Sequence, residues 1–256
     1  MGWTSLLPEI GIIVAIALLA VGLHFVLQSR TKYEVLRKHN DVAGYLFSAI
    51  GTIFAVVLGF LVIIVWQKFD AAVGNAQVEV AAVSDLYRDV AAYPEAERGP
   101  IRRELHEYMD TVTAVEWPAM AAGKEPTASV RVLELIAYNV DRFKPASLVE
   151  QDAQDKSMDQ VQRLLDARRL RIHQNEPSVP PILWFALVVG AGAVIGFAFM
   201  FGVENRTSQL IMTGVLAIVI GLLFVVIYEF DSPFSGAVGV PLDGWLVLHD
   251  RLMQIH

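Results

Sequence analysis

Four long apolar segments, separated by polar sequence, dominate the hydropathy pattern of the chain. They run from Ile10 to Leu27, Val42 to Trp66, Pro181 to Phe201 and Leu210 to Tyr228, and the second and fourth carry no charged residue. Because about 20 mainly apolar residues cross the hydrocarbon core of a bilayer as one helix, the pattern predicts four membrane-spanning helices. The block between the second and third segments, Gln67 to Pro180, is too polar for lipid and is predicted to be extramembrane.

The polar block has apolar residues at helical spacing, and it has no long period-two alternation that would favour a strand. Two such sets recur every three or four residues: Ile101, Leu105, Tyr108, Val112 and Val115, then Val130, Leu133, Ala137 and Val140. A further helix is predicted from Ser147 to His173. Prolines 100, 126 and 145 are expected to open helical segments, because a helix tolerates proline best in its first turn. The sequence therefore predicts an all-α membrane protein with a helical insert between its second and third spans.

The apolar pattern of the second span continues beyond the membrane. Residues after Trp66 recur at alternating spacings of four and three: Phe69, Val73, Ala76, Val80, Val83, Tyr87 and Val90. This is a heptad seam of about three heptads, near the lower limit for a coiled coil. No proline interrupts Val42 through Tyr93, so one continuous helix extending well beyond the membrane is predicted. The alternative is two helices that meet near Gly74.

A stripe of small residues follows one face of the second span. Its members lie three or four residues apart: Gly44, Ser48, Gly51, Ala55 and Gly59. Gly192 and Gly196 of the third span have the same relation. Small residues at this spacing let helix backbones approach closely, which favours association in lipid. The stripe indicates either packing within one four-helix bundle or close approach of several copies around an oligomer axis.

Composition supports a membrane protein and excludes several function classes. Hydrophobic residues make up 55% of the chain and charged residues 18%, with a mean hydropathy of +0.48; soluble proteins have roughly 25% charged residues. The net charge of −7, without a basic stripe, argues against nucleic-acid binding. With no cysteine and no histidine pair at metal-ligand spacing, neither a metal site nor a cofactor is expected. No enzyme motif is present.

The same pattern divides the chain into four expected parts. Residues 1–66 hold the first two spans, residues 67–180 the helical extramembrane domain, and residues 181–229 the last two spans. Residues 230–256 are expected to form a turn and a short amphipathic helix that starts at Pro241.

Polar residues at the start of the second span are candidates for a functional site. His39, Asn40 and Asp41 immediately precede the apolar run. Asn or Asp there would cap free backbone N–H groups of the helix. If the helix is central to an oligomer, the three residues would instead form a polar ring at a pore entrance. His24, an ionisable residue in the first span, is a further candidate because such residues are rare in membranes.

Two motifs resemble the prokaryotic bestrophin-homologue family of membrane proteins. The first is HNDVAGYLFSAIGTIFAVVLGFLVIIVWQKFDAAVGNAQVEVAAVSDLYR, which begins at His39, and the second is FDSPFSG after the fourth span. The resemblance covers most of the chain from His39 to Gly236 in order and spacing. Within the second motif, Asp231, Pro233 and Phe234 are expected to form a structural turn that holds the tail at the membrane end.

The resemblance to bestrophins implies a homo-oligomeric ion channel in which the second helix lines the pore. Bestrophins are pentameric and mostly anion-selective, so the expected partners are the lipid bilayer, further copies of the chain and small inorganic ions. The sequence Val57-Leu58-Gly59-Phe60 matches their apolar neck, which carries the neck positions onto Thr52, Val56 and Phe60.

The chain departs from bestrophins at two places. Leu61 to Val65 replace the polar and basic residues that follow the bestrophin neck, and only Asp231 corresponds to their acidic calcium clasp, so no calcium site is expected. The alternative to a channel is a non-conducting membrane assembly or scaffold whose helical insert binds a partner protein.

The side of the membrane that carries the insert stays open at this point. The loop Gln28 to Asp41 contains four basic residues and the loop Gly202 to Ser208 one: Arg30, Lys32, Arg37, Lys38 and Arg206. The rule that positive loops stay inside places these loops in the cytoplasm and the insert outside. The bestrophin resemblance places the insert in the cytoplasm. Both agree with a multi-pass protein of the bacterial inner membrane.

Overall fold

The computed structural model describes residues 7–30, 36–37, 39–235 and 237–254, and this part of the chain is helical and contains no strand. Lys32, Lys38 and Gly236 of the sequence motifs lie outside the described residues. The α-helices are α1 Leu7–Arg30, α2 Asn40–Asp89, α3 Glu95–Thr111, α4 Trp117–Ala121, α5 Val130–Arg142, α6 Leu148–Gln174, α7 Pro181–Ala198, α8 Arg206–Asp231 and α9 Asp243–Met253. A π-helical segment, Val112–Glu116, joins α3 to α4, and a 3₁₀ turn, Val90–Ala92, follows α2.

The prediction of an all-α protein with four spans is confirmed. Helices α1, α2, α7 and α8 are long and apolar enough to cross a membrane. In each helix, between 17% and 28% of the most apolar 18-residue stretch is buried within the chain. Most of their apolar surface is therefore left for lipid or for other chains, as expected of spanning helices.

The prediction of one extended second helix is also confirmed. Helix α2 has 50 residues and passes Gly74 without a break, so the alternative of two helices meeting there is wrong. A prediction for the insert fails at Pro100, which lies inside α3 instead of opening it. Helix α3 begins at Glu95, directly after Pro94, so the chain was already helical for five residues before Pro100.

The described residues fall into two compact units. The first, called the membrane unit, lies within Met1–Gln67 and Ser178–Asp231, and the second, called the insert unit, within Lys68–Pro177 and Ser232–His256. In the membrane unit, α1 packs along α8, and α2 packs against α7 and α8 through an apolar core. Buried members of that core include Phe54, Leu58, Leu61 and Val65 from α2, Leu187 and Ala191 from α7, and Ile220 and Ile227 from α8.

The insert unit has a larger core that all of its helices share. The heptad seam of α2 enters this core, where Val83 and Val90 are fully buried and Tyr87 nearly so. The chain's own helices therefore cover the far end of the seam without a second copy, whereas Phe69, Val73 and Val80 are only partly buried. The short tail helix α9 contributes Trp245 and Leu248 to the same core. It begins at Asp243, two residues after the predicted start.

Candidate functional site

The three neck positions lie on an uncovered side of α2. Val56 is 52% exposed, Phe60 is 61% exposed, and Thr52 is exposed as well. The Thr52 hydroxyl donates to the backbone oxygen of Ser48 at 2.8 Å, so this face presents no open hydroxyl donor to its surroundings. Ile53, on a neighbouring face, is 67% exposed, so α2 has more than one face that no other helix of the chain covers.

The small-residue stripe is mostly unused by packing within the chain. A Cβ atom added at Gly51 or Gly59 would meet nothing within 4 Å, and the same holds for Gly192 and Gly196 of α7. Only Gly44 has a neighbour at ordinary contact distance, the Phe201 ring at 3.7 Å. An open cavity of about 400 Å³ runs beside the stripe; its lining includes Gly51, Phe54, Ala55, Gly59 and Val62. The stripe thus leaves room for another helix or a lipid chain.

At the start of α2, the Asn40 side chain binds a distant loop. Its amide donates to the carbonyl oxygen of Gly202 and accepts from the N–H of Gly202, each at 2.9 Å. An amide suits this role because it offers one donor and one acceptor to a single residue's backbone. A Cβ at Gly202 would lie 2.5 Å from the backbone nitrogen of Arg37, so only glycine fits this approach. His39 and Asp41 are exposed beside it.

Asp231 holds the segment that precedes α7. Its Oδ1 accepts from the N–H and the hydroxyl of Ser178 at 2.7 and 2.8 Å, and from the N–H of Val179 at 2.9 Å. Three donors thus converge on one of the two carboxylate oxygens of Asp231. Among the described residues, no three His, Asp or Glu side chains are grouped so that they could hold a metal ion.

The other two residues of the predicted turn lie in the insert unit. The carbonyl oxygen of Pro233 accepts from the N–H of Val240 at 2.8 Å. Phe234 is buried, and its ring meets the Trp117 ring edge-on with centroids 5.3 Å apart. Both contacts fold the segment after α8 back onto the insert core.

A ladder of neutral polar pairs joins α1 to α8 inside the membrane unit. His24 Nδ1 and the Thr213 hydroxyl lie 2.7 Å apart, and Gln28 Nε2 donates to Gln209 Oε1. Gln209 in turn donates to the backbone oxygen of Phe201. The sequence identified His24 as a candidate residue but did not identify Thr213 as its partner. The available signal was the four-residue spacing of His24 and Gln28 at the end of the first apolar segment, matched by that of Gln209 and Thr213 at the start of the fourth.

Four charged residues, here called the buried charge network, lie inside the insert unit: Glu79, Glu116, Arg168 and Arg171. Glu79 is not one of the seam residues, and both arginines lie in the last two turns of α6. In the structure, Glu79 and Arg171 are fully buried and joined by an ion pair of 2.7 Å. Glu79 shares its face of α2 with the buried residues Ala72, Ala76, Val83 and Leu86.

The network keeps Glu116 ionised. Burial alone would raise the pKa of Glu116, but the Arg171 guanidinium, the Ser129 N–H and Arg168 lower that pKa to about 2. Although burial acts to lower the pKa of Arg171, the charge of Glu79 and its hydrogen bonds hold it above the usual arginine value. Burial, together with the Glu79 charge, raises the pKa of Tyr108. Glu116 is therefore ionised at neutral pH, beside the guanidinium groups of Arg168 and Arg171.

The fold is similar to that of known bacterial membrane proteins. A bacterial bestrophin homologue from Klebsiella pneumoniae matches with a TM-score of 0.69 at 16% identity, covering 95% of this chain and 98% of the other. A variant of that homologue with one isoleucine-to-threonine substitution matches with a TM-score of 0.72 at 15% identity, covering 94% and 99%. No curated protein matches the sequence.

The family comparison covers most of the chain. The family model described as the bestrophin-like domain matches residues 14–244, which include all four apolar helices and the insert. This confirms the resemblance that the two sequence motifs carry. The chain belongs to the bestrophin-like family of membrane proteins.

Proposed function

We propose that the protein is a homo-oligomeric ion channel whose pore is lined by α2. The observation that carries the proposal is the match of the bestrophin-like domain to residues 14–244, because bestrophins are channels built on this helix order. By the same resemblance, a pentamer in the bacterial inner membrane is the proposed assembly. Its partners are then the bilayer, further copies of the chain and small inorganic ions.

The geometry of α2 fits a helix at an oligomer axis. Gly51 and Gly59 have no neighbour within 4 Å of an added Cβ, so another helix can approach closely there. Val56 and Phe60 are more than half exposed. Repeated around an axis, the Thr52, Val56 and Phe60 side chains would form a narrow apolar constriction, a type of gate that closes by excluding water.

The ion selectivity has two candidate answers that one measurement separates. The bestrophin resemblance favours anions. The insert unit favours cations, since it contains 21 Asp and Glu against 15 Lys and Arg residues, a formal net charge of −6, and a vestibule of one charge sign concentrates the opposite ions. Under a fixed salt gradient, the reversal potential has opposite signs for an anion-selective and a cation-selective pore.

A flux assay on the full chain in liposomes tests the channel proposal. Phe60→Ala and Val56→Ala widen the proposed constriction, and we expect each to raise ion flux several-fold over the wild type. Phe185→Ala on α7 is the matched control, because Phe185 is likewise exposed, at 65%, and is not a neck position. Unaltered flux in both neck variants, or flux absent under varied ions, pH and voltage, would contradict the proposal.

The second candidate is a non-conducting membrane scaffold whose insert binds a partner protein. It is favoured by the absence of charge from the second and fourth apolar segments, which is unusual for a hydrophilic pore. A view of the oligomer down its axis at modest resolution decides between the two candidates. A sealed axis together with a stoichiometric partner on the insert supports the scaffold, and a central hole lined by α2 supports the channel.

A further inference from the structure

The buried charge network joins α2, the π-helical segment and α6 at one point. Glu79 stands on α2, Glu116 ends the π-helical segment, and both arginines come from α6. Arg171 donates to Glu79 from Nε at 2.7 Å and from Nη2 at 3.1 Å, and to Glu116 Oε2 from Nη2 at 2.7 Å. One guanidinium therefore links α6 both to α2 and to the π-helical segment.

The second arginine completes the network around Glu116. Arg168 donates to Glu116 Oε1 at 2.9 Å, to the Ser129 hydroxyl at 2.7 Å and to the backbone oxygen of Pro126 at 3.0 Å. Ser129 donates to the same Glu116 oxygen from its N–H at 2.9 Å and from its hydroxyl at 2.8 Å. The Tyr108 hydroxyl of α3 donates to Glu79 at 2.6 Å. The carboxylates and guanidinium groups thus meet specific partners from five segments.

Stability alone does not explain such a network. Desolvating four charges costs about as much as their mutual attraction returns, and well-packed apolar residues of similar volume often give an equally stable or more stable protein. The best attested use of buried polar groups is to specify one register among several packings of similar energy. The apolar faces around the network supply that ambiguity.

The helix faces that meet here each include three small side chains beside larger buried ones. The buried face of α2 includes Ala72, Ala76 and Ala82, and that of α6 includes Ala153, Ser157 and Ala167. Small residues of similar shape on successive turns distinguish poorly between one register and the next. A shift by one turn puts one small side chain where another had been, so the packing changes little. The contact from Asn75 Nδ2 to the backbone oxygen of Ala167, at 2.8 Å, can be made in any register, since every residue offers a carbonyl.

The π-helical segment is the local adjustment that brings Glu116 into the network. Its five residues, Val112–Glu116, interrupt an otherwise α-helical path from α3 to α4. Short π segments hold an extra residue at a local cost and are frequent at functional sites. Here the segment buries Glu116 completely and is followed by Trp117, whose ring lies 5.5 Å from the Arg171 guanidinium carbon.

We propose that the buried charge network fixes the register of α6 against α2, and that Arg171 is the central positioning residue of this register. A slip by one helical turn, about 5.4 Å, would set Glu79 or Glu116 against apolar side chains and leave a guanidinium unpaired. The charges thereby exclude registers that the small-residue faces would tolerate. The register claim stands whether or not the protein conducts ions.

Distance measurements between two spin labels test the proposal on the full chain in detergent or liposomes. The chain has no cysteine, so Val78→Cys on α2 and Gln162→Cys on α6 label two exposed positions of the insert unit specifically. Labelled chains are diluted with unlabelled ones to suppress distances between copies. The wild-type background is expected to give one narrow distance distribution.

The decisive variant of the spin-labelled chain replaces the whole network by apolar residues: Glu79→Met, Glu116→Leu, Arg168→Met, Arg171→Met and Tyr108→Phe. We expect this variant to fold and to show a second distance displaced by about one helical turn, on the order of 5 Å. A single distance equal to that of the wild type would overturn the proposal. If the variant does not fold, Glu79→Gln with Arg171→Gln, which removes both charges of the ion pair between α2 and α6, is judged by the same criterion.

Arg169→Met is the matched control on the same helix. Arg169 pairs with Asp166 at 3.3 Å, and both side chains are more than 60% exposed. Its removal is expected to leave the single distance unchanged, and a shift there would also overturn the proposal, because loss of any α6 arginine would then suffice. Ion flux is measured separately, so a failed register test and a failed channel test are distinguishable.

Discussion

The polar contacts buried between the helices differ in kind between the two units. In the membrane unit, the contact between α1 and α8 buries neutral groups, an imidazole, a hydroxyl and two amides, and the buried carboxylates of Glu229 and Asp231 lie only at the end of α8. The insert unit buries full charges, two carboxylates and two guanidinium groups. In lipid an unpaired charge is very costly, so neutral hydrogen-bonding pairs are the usual means of fixing helix contacts. In the water-exposed unit, a large apolar core supplies stability and leaves charges available to specify one arrangement.

The largest expected effect tests the charged side of this comparison. Arg171→Met leaves the buried carboxylates of Glu79 and Glu116 without their central guanidinium, and breaking a buried pair in this way costs about 3–5 kcal/mol. Denaturant unfolding followed by tryptophan fluorescence should show the loss. Arg169→Met, on the exposed side of the same helix, should change the free energy of unfolding by less than about 0.5 kcal/mol. Equal effects of the two variants would contradict the assignment.

The pH dependence of the same network is the next largest effect. The pKa of Glu116 is lowered to about 2, below its unfolded value, so its ionised form stabilises the fold at neutral pH. That contribution is fully present above pH 4.5 and is lost as the pH falls towards 2. It amounts to at most about 3 kcal/mol.

The measurement compares the urea midpoint of the wild type with that of Glu116→Gln from pH 7 to pH 3. We expect the difference between the two proteins to stay constant down to about pH 5 and then to shrink. A difference that grows on acidification would show that the carboxyl group is protonated in the folded state.

A pair of glycine substitutions separates packing inside the membrane unit from packing between copies. A Cβ at Gly190 would lie 2.6 Å from the buried Phe54 ring, so Gly190→Ala should destabilise the fold by about 1–3 kcal/mol. Gly51 has nothing within 4 Å, so Gly51→Leu should leave the fold intact and lower the oligomeric fraction measured by native mass spectrometry. Unfolding of the Gly51→Leu chain, or an unaltered oligomer, would count against the proposed close approach of copies.

The smallest expected effect concerns the neutral ladder. In a double-mutant cycle of Gln28→Leu and Gln209→Leu, the interaction energy between the two side chains should be about 0.6–2 kcal/mol. The double variant should be closer to the wild type than either single variant, because removing both partners leaves fewer unsatisfied amides. Unfolding in mixed detergent micelles measures the cycle. If the interaction energy between Gln28 and Gln209 exceeded the stability lost in Arg171→Met, the neutral pairs would be stronger than the buried charges, and the comparison between the units would be reversed.

The sequence was sufficient for features that a local pattern determines. Lipid requires about 20 apolar residues per span, and the absence of proline from Val42 through Tyr93 allowed one continuous helix. The fully buried face of α2 was harder to identify. The seam was counted from large residues such as Phe69 and Val73, which are only partly buried, whereas the buried face carries Ala72 and Glu79.

Contacts between distant parts of the chain could not be predicted. Glu79 and Arg171 are 92 residues apart, and Asn40 and Gly202 are 162 apart. A charged residue in an amphipathic segment is usually solvated, so burial of Glu79 becomes visible only when α6 supplies its partner. The contact of Asn40 is hidden from the sequence in the same way. Its side-chain oxygen and nitrogen both bind the backbone of Gly202, whereas a helix cap would bind the N–H groups of its own helix.

The Asp231 carboxylate has a consequence for the order in which the protein is made. The two backbone N–H groups that it binds belong to Ser178 and Val179, more than fifty residues earlier in the chain. At a synthesis rate of about 5–20 residues per second, the start of the third span waits several seconds for the residue that secures it. During that interval the third span must be held by the insertion machinery or by its neighbours. Truncation just before Asp231 should therefore leave the third span less firmly inserted than truncation just after it.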